Sequence, residues 1–277
     1  MTRTTADLLL LLAALIWGLA FVEQSTAMDH IGALTFSGVR FLLAAVVVLP
    51  FALAEGRQGL PAIPVKRTLP LIGIGVAFFL GVITQQWGLL TTTVGNAGFL
   101  TALYVVMVPA IAFIISRWRP MPANPNAPAP AKLHIAIWPA AGLSLLGTFL
   151  LGGGHIDGLN RGDYLVVLGA FFWAVQILAL GWLASDLRRP LMISFIQYLV
   201  VAALGISLAF VFETPAWSQI LAAWKEILFT GVMSGGFAFT LQAVAQTHTP
   251  ASDTAIIISA EGLFAALFGG LLLGDRQ

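Results

Sequence analysis

The sequence contains no cysteine. Disulfide staples, thiolate nucleophiles and cysteine-ligated metals are therefore excluded. Charge is nearly as scarce. Asp, Glu, Lys and Arg make up 9% of the chain, against about 25% in a soluble domain. So few charges cannot clothe a globular surface, and lipid must be the solvent. Thirteen basic and 12 acidic residues leave a net charge of +1, which gives no nucleic-acid footprint. The four histidines (His30, His134, His155 and His248) are far apart, and none shows metal-ligand spacing. HExxH, GxSxG and phosphate-binding glycine loops are missing. No cofactor and no metal are expected. The first apolar run continues into Trp17, Phe21 and Glu23, without the small-residue cleavage site of a signal peptide.

Hydrocarbon is what remains. Mean hydropathy is +0.94, and 59% of the residues are hydrophobic. Apolar runs near the span length of about 20 residues recur at 6–24, 33–54, 69–90, 95–116, 133–151, 163–183, 191–212, 226–247 and 252–274. They predict an all-α, polytopic transmembrane bundle whose neighbouring helices form antiparallel hairpins. The segment 117–132, RWRPMPANPNAPAPAK, holds five prolines and reads as an extended linker. With the N-terminus in the cytoplasm, nine basic residues in loops lie inside and three (Arg161, Lys225 and Arg276) outside. That bias fits a multi-pass protein of a bacterial inner membrane with its N-terminus cytoplasmic.

The chain also resembles itself. LIWGLAF (Leu15–Phe21) and AFFWAVQ (Ala170–Gln176) each place a tryptophan in mid-helix, Trp17 and Trp173. A shift of 157 residues lays Gln85 on Gln242, Thr92 on Thr249 and Asn96 on Asp253. The first unit, 1–151, has five helices, so its copy, 152–277, must enter the membrane from the other face. This is the inverted repeat of secondary transporters. Ten helices are expected on that count and about nine are present. The second unit reaches Gly274–Gln277 where its last helix should begin.

Four segments carry a family resemblance: LIWGLAF, FSGVRFLLAA (Phe36–Ala45), NAGFLTALYVVMVPAIAFII (Asn96–Ile115) and SAEGLFAALFGGLLLGDR (Ser259–Arg276). Their order and spacing resemble the EamA type of the drug/metabolite transporter superfamily. Within it the chain is most similar to YddG-type exporters of aromatic and other amino acids. The resemblance implies ten helices in the inner membrane and export of small metabolites, amino acids among them. Two features depart from the family pattern. Gly262 rather than proline follows Glu261, and the Pro-rich segment replaces a short turn.

Candidate substrate-binding residues are the polar and amphipathic side chains inside these apolar runs: Trp17, Arg40, Gln85, Asn96, Tyr104, Trp173, Gln242 and Glu261. Glu261 lies eight residues past Asp253, about 12 Å along a helix. A carboxylate at that depth is costly unless protonated, paired or wet. It suits a proton or cation site, an anchor for a substrate ammonium, or a buried packing acid. Arg40 can fork onto a substrate carboxylate, snorkel to the interface or pair with Glu23. Gln85 and Gln242 can meet a neighbouring helix or a polar ligand. Asn96, Thr101 and Tyr104 form a polar stripe. Trp17 and Trp173 can stack on an aromatic or cationic substrate or pack in the core. Pro109 is expected to kink the fourth helix. Gly231 and Gly235 form GxxxG in the eighth, for close contact within the monomer or for dimerisation.

These features describe a secondary transporter, not an enzyme, that moves small metabolites by alternating access. Its partners are a small-molecule substrate and the bilayer, and it is expected to act as a monomer without nucleic acid. A lipophilic-drug or sugar-metabolite exporter is the alternative within transport. An intramembrane lipid-modifying enzyme would need acids or histidines clustered at one membrane face. Segment 117–132 has almost no large apolar side chain to bury. Replacing it with a Gly/Ser linker of equal length should leave expression and transport at parental levels. Loss of transport with normal expression would show that it gates or docks.

Overall fold

In a computed structural model the described residues are 1–57, 63–118, 137–151 and 159–274. They are helical, with no strand among them. Nine long helices follow one another among the described residues, with a short helix (Trp217–Ala222) before the eighth: α1 (Arg3–Ala27), α2 (Ala33–Gly56), α3 (Val65–Gly88), α4 (Val94–Arg117), α5 (Ile137–Leu151), α6 (Arg161–Leu187), α7 (Pro190–Phe212), α8 (Trp224–Ala245) and α9 (Ala251–Leu273). All but α5, which is described over 15 residues, are long and apolar enough to cross a membrane. Between α1 and α4 and between α6 and α7 the connections are short and force the antiparallel order. Most of segment 117–132, and residues 275–277, lie outside the described residues.

Helix ends inside a membrane protein must find partners for their free N–H groups. Local caps serve some of them. Thr93 Oγ1 accepts from Asn96 N at 3.2 Å, and Asn160 and Asp163 form a capping box at the start of α6. At α2 and α7 the cap comes from the other repeat. Glu213, at the end of α7, accepts from Leu34 N at 2.8 Å, Thr35 N at 2.9 Å and Thr35 Oγ1 at 2.6 Å. Glu55, near the end of α2, accepts from Leu191 N at 3.2 Å and Met192 N at 2.9 Å. The capped residues Leu34 and Leu191, and Thr35 and Met192, are 157 apart. Two equivalent helices therefore clasp each other head to tail, with a carboxylate on each positive helix end.

The antiparallel clasp shows that the repeats are inverted. Its centre is tight. A Cβ on Gly205 would sit 2.9 Å from Gly38 Cα, so small residues set the approach of the two backbones. The other contacts come in matched pairs. α3 packs on α6 as α8 packs on α1, α2 meets α8 as α7 meets α3, and α4 meets α9. GxxxG of α8 lies within the monomer. A Cβ on Gly231 would lie 2.9 Å from Arg40 O, and one on Gly235 would lie 2.8 Å from Ala44 Cβ.

Two helices differ from the sequence expectation. The kink of α4 is not centred on Pro109. The helix breaks at Ala102 (φ −61°, ψ −10°), where Leu103, Val105 and Val106 bond three residues back. The equivalent turn of α9 breaks at Ser259 (φ −61°, ψ −15°), although Ala266 stands where α4 has Pro109. The break thus belongs to the repeat and not to the proline. α8 is not a plain α-helix. Residues Thr230–Phe239 form π turns, a wide geometry that commonly marks functional sites.

The clasp predicts additive stability losses. Glu213→Ala and Glu55→Ala should each destabilise the protein by about 1–2 kcal/mol, the usual effect of losing a helix cap. They lie at opposite ends of the α2–α7 pair, so the double variant should equal the sum within about 0.5 kcal/mol. Unfolding of the protein in detergent measures both. A coupling well above that margin would mean that the two ends act as one unit.

Candidate functional site

Seven of the eight candidate residues surround one central cavity: Trp17, Arg40, Gln85, Tyr104, Trp173, Gln242 and Glu261. They come from α1, α2, α3, α4, α6, α8 and α9. The space between them is about 470 Å³ including its opening. Asn96 is not among them. It sits half-buried in the first turn of α4, where its N–H is taken by the Thr93 cap. Spacing put it on the face of Tyr104, but it lies about 12 Å along the helix from that residue, and the lining reaches Thr101 and not Asn96.

Charge in the cavity is unusual. Arg40 is 3% exposed, so it neither snorkels nor reaches solvent. No ion pair to it exists among the described residues, Glu23 included, and its Nε has no hydrogen-bond partner. Its guanidinium lies over Phe36 at 5.0 Å and Phe41 at 4.9 Å. Cation–π contact steadies a cation but does not neutralise it. Glu261, 6% exposed, accepts a 2.8 Å hydrogen bond from Tyr104 Oη. These two residues occupy equivalent places in the repeats, 157 apart.

One wall is aromatic. Phe239 lies 4.5 Å from Trp17 and stacks on Trp173 at 5.6 Å, centroid to centroid. Phe78 stands edge-on to Phe239 at 4.7 Å. The indole N–H groups are directed. Trp173 Nε1 donates to Gln85 Oε1 at 2.9 Å, and Trp17 Nε1 to the Ser234 carbonyl at 3.4 Å. That carbonyl lies within the π turns of α8. Phe239, Gln24 and Gln176 also line the cavity and were not singled out in the sequence. Gln176 closes the AFFWAVQ motif, and Phe239 precedes Gln242 by one turn, so periodicity held a signal for both.

The profile of the EamA-like transporter family matches residues 4–122 and again 160–276. The chain belongs to the EamA-like transporter family. It is a multi-pass membrane protein and a transporter. An uncharacterized transporter of Archaeoglobus fulgidus is 32% identical over 274 residues, covering 99% of this chain and 80% of that one. One solved crystal structure agrees with a TM-score of 0.75 over 99% of this chain and 90% of its own. At 19% identity it shows the fold alone.

In this EamA-like transporter the two ends of the bundle are tied by equivalent contacts. Thr92 Oγ1 donates to Asp163 at one end. At the other, Thr249 Oγ1 donates to Asp7 at 2.8 Å. The second tie is reinforced by an ion pair between Arg3 and Asp253. Both join one repeat to the other and lie beyond the cavity along the helix axes.

Removing the phenol from the Tyr104–Glu261 pair should leave a buried carboxyl group without its donor. Tyr104→Phe is expected to lower stability by about 1–3 kcal/mol. In the Glu261→Leu background the same change should cost less than about 1 kcal/mol, because no acceptor is left unsatisfied. Thermal or denaturant unfolding of the four proteins closes the cycle.

Proposed function

We propose that the protein is a gradient-driven exporter of amino acids, aromatic ones included. The reading places it in a bacterial inner membrane with the N-terminus cytoplasmic, acting as a monomer by alternating access. One observation carries it. A buried guanidinium and a buried carboxyl group face the same cavity without pairing with each other, beside an aromatic wall. A free amino acid supplies the missing partner of each. Its carboxylate answers Arg40 as a bidentate acceptor, its ammonium answers Glu261, and an aromatic side chain lies along Trp17, Phe239 and Trp173. The sequence holds no nucleotide-binding loop, so a gradient supplies the drive. The interrepeat ties at the two ends are suited to open in turn around a fixed site.

Proteoliposomes loaded with single amino acids test this reading by counterflow. Aromatic amino acids should exchange, and amino-acid amides, which lack the carboxylate, should not. Arg40→Gln, which copies the residue at the equivalent place in the second repeat, should raise the half-saturating concentration at least about 30-fold. Flux of lipophilic cations or of sugar metabolites, with no amino-acid exchange, would favour the alternative exporters instead.

A further inference from the structure

The amides around the cavity are arranged with a polarity that the transport reading does not use. Gln85 and Gln242 hold equivalent positions, 157 residues apart, but their amides are engaged in opposite senses. Gln85 gives its carbonyl oxygen to Trp173 Nε1, which leaves its amide protons for the cavity. Gln242 does the reverse. Its Nε2 donates to Gln176 Oε1 over a long 3.4 Å, and its Oε1 is buried with no hydrogen-bond partner.

The direction is set one residue further back. Gln176 Nε2 donates to Gln197 Oε1 at 3.0 Å. With its nitrogen turned to Gln197, the Gln176 amide presents its oxygen to Gln242. Gln242 offers its NH₂ group there, and its own oxygen, on a residue that lines the cavity, is left without a donor. Gln197 is 2% exposed and lies outside the cavity lining. It is the equivalent of Arg40 in the second repeat. Where one repeat places a cation toward the cavity, the other places a neutral amide that orients its neighbours.

A buried carbonyl oxygen without a donor is unfavourable until a bound molecule supplies an N–H or O–H. Phe239 precedes Gln242 by about one helical turn and stacks on Trp173, and both residues line the cavity, so Gln242 lies beside the aromatic wall. We infer that Gln242 Oε1 selects substrates bearing a hydrogen-bond donor on their aromatic part, phenols and indoles over molecules of equal size without one. Gln197, acting through Gln176, is the positioning residue that keeps this oxygen free of a donor within the protein. The inference rests on the reading of the cavity as the substrate site.

L-Tyrosine and 4-methyl-L-phenylalanine have nearly one shape and differ in a ring O–H or methyl group. Their dissociation constants are measured by isothermal titration calorimetry on the full chain in lipid nanodiscs. The parent should prefer tyrosine about tenfold. Gln242→Met should bring the ratio to about one. Gln197→Met should also abolish the preference, although it does not touch the ligand. Gln197→Glu, which keeps an acceptor for Gln176 Nε2, should restore it. A merely structural Gln197 would weaken both ligands alike and leave the ratio unchanged, which would overturn its positioning role. If Gln197→Met does not fold, Gln176→Met tests the same chain at its next link. Equal affinities in the parent, or a ratio that survives Gln242→Met, would overturn the inference and leave the substrate site standing. A preference for the methyl analogue would mean that the amides run the other way and would overturn it too. Failure of both amino acids to bind the parent would remove the substrate reading and this inference together.

Discussion

A carboxyl group within a hydrocarbon bundle has to be met by a donor, and in this protein Tyr104 meets Glu261 from the equivalent place in the other repeat. That hydrogen bond joins α4 to α9, next to the breaks at Ala102 and Ser259. Gly262, the residue after Glu261, stands 3.1 Å from where a Cβ on Gly98 would be, so the two broken helices approach through small residues. Backbone contact of this kind needs no apolar driving force, which lipid cannot supply between helices. With α4 and α9 held together, the polar groups of both repeats face one space.

The frame is symmetric and its decoration is not. Trp17 and Trp173, Gln85 and Gln242, and the Glu55 and Glu213 caps repeat across the pseudo-two-fold. Charge breaks the pattern, because Arg40 is matched by Gln197 and Glu261 by Tyr104. A site with true two-fold symmetry would accept a ligand in two orientations. Here cation and acid occupy non-equivalent positions, so a dipolar ligand has one favourable orientation. The ties at the ends of the bundle share this character. Thr92–Asp163 and Thr249–Asp7 correspond, but the Arg3–Asp253 pair strengthens one end alone. Exposed ion pairs contribute little and weaken with salt, which makes that end the more sensitive to ionic conditions.

Much of this was legible before any coordinates. Scarce charge and repeated apolar runs left a membrane bundle as the only solution, because hydrocarbon tolerates no unpaired backbone. The 157-residue shift exposed the repeat, and an odd number of helices per unit required inversion. Polar side chains within apolar helices marked most of the cavity, since each needs a partner or water. Asn96 misled because periodicity gives the face of a helix and not the depth: it lies about 12 Å from Tyr104 along the axis, and the lining reaches only to Thr101. Gln197 looked like one more amide. Its role depends on Gln176, 21 residues away, and no local pattern encodes that contact.

The sequence by itself determined the solvent, the helices, their alternation and the inverted repeat, because these follow from hydropathy and from counting. It also named the groups too polar for lipid. Tertiary structure decided how those groups are satisfied. Glu261 has a phenol and Gln85 an indole, Gln242 is bound through its nitrogen alone, and Arg40 has no charged partner among the described residues. Such pairings depend on distances of about 3 Å between helices far apart in the chain. A composition or a periodicity fixes which face of a helix is polar, but only packing fixes what that face meets.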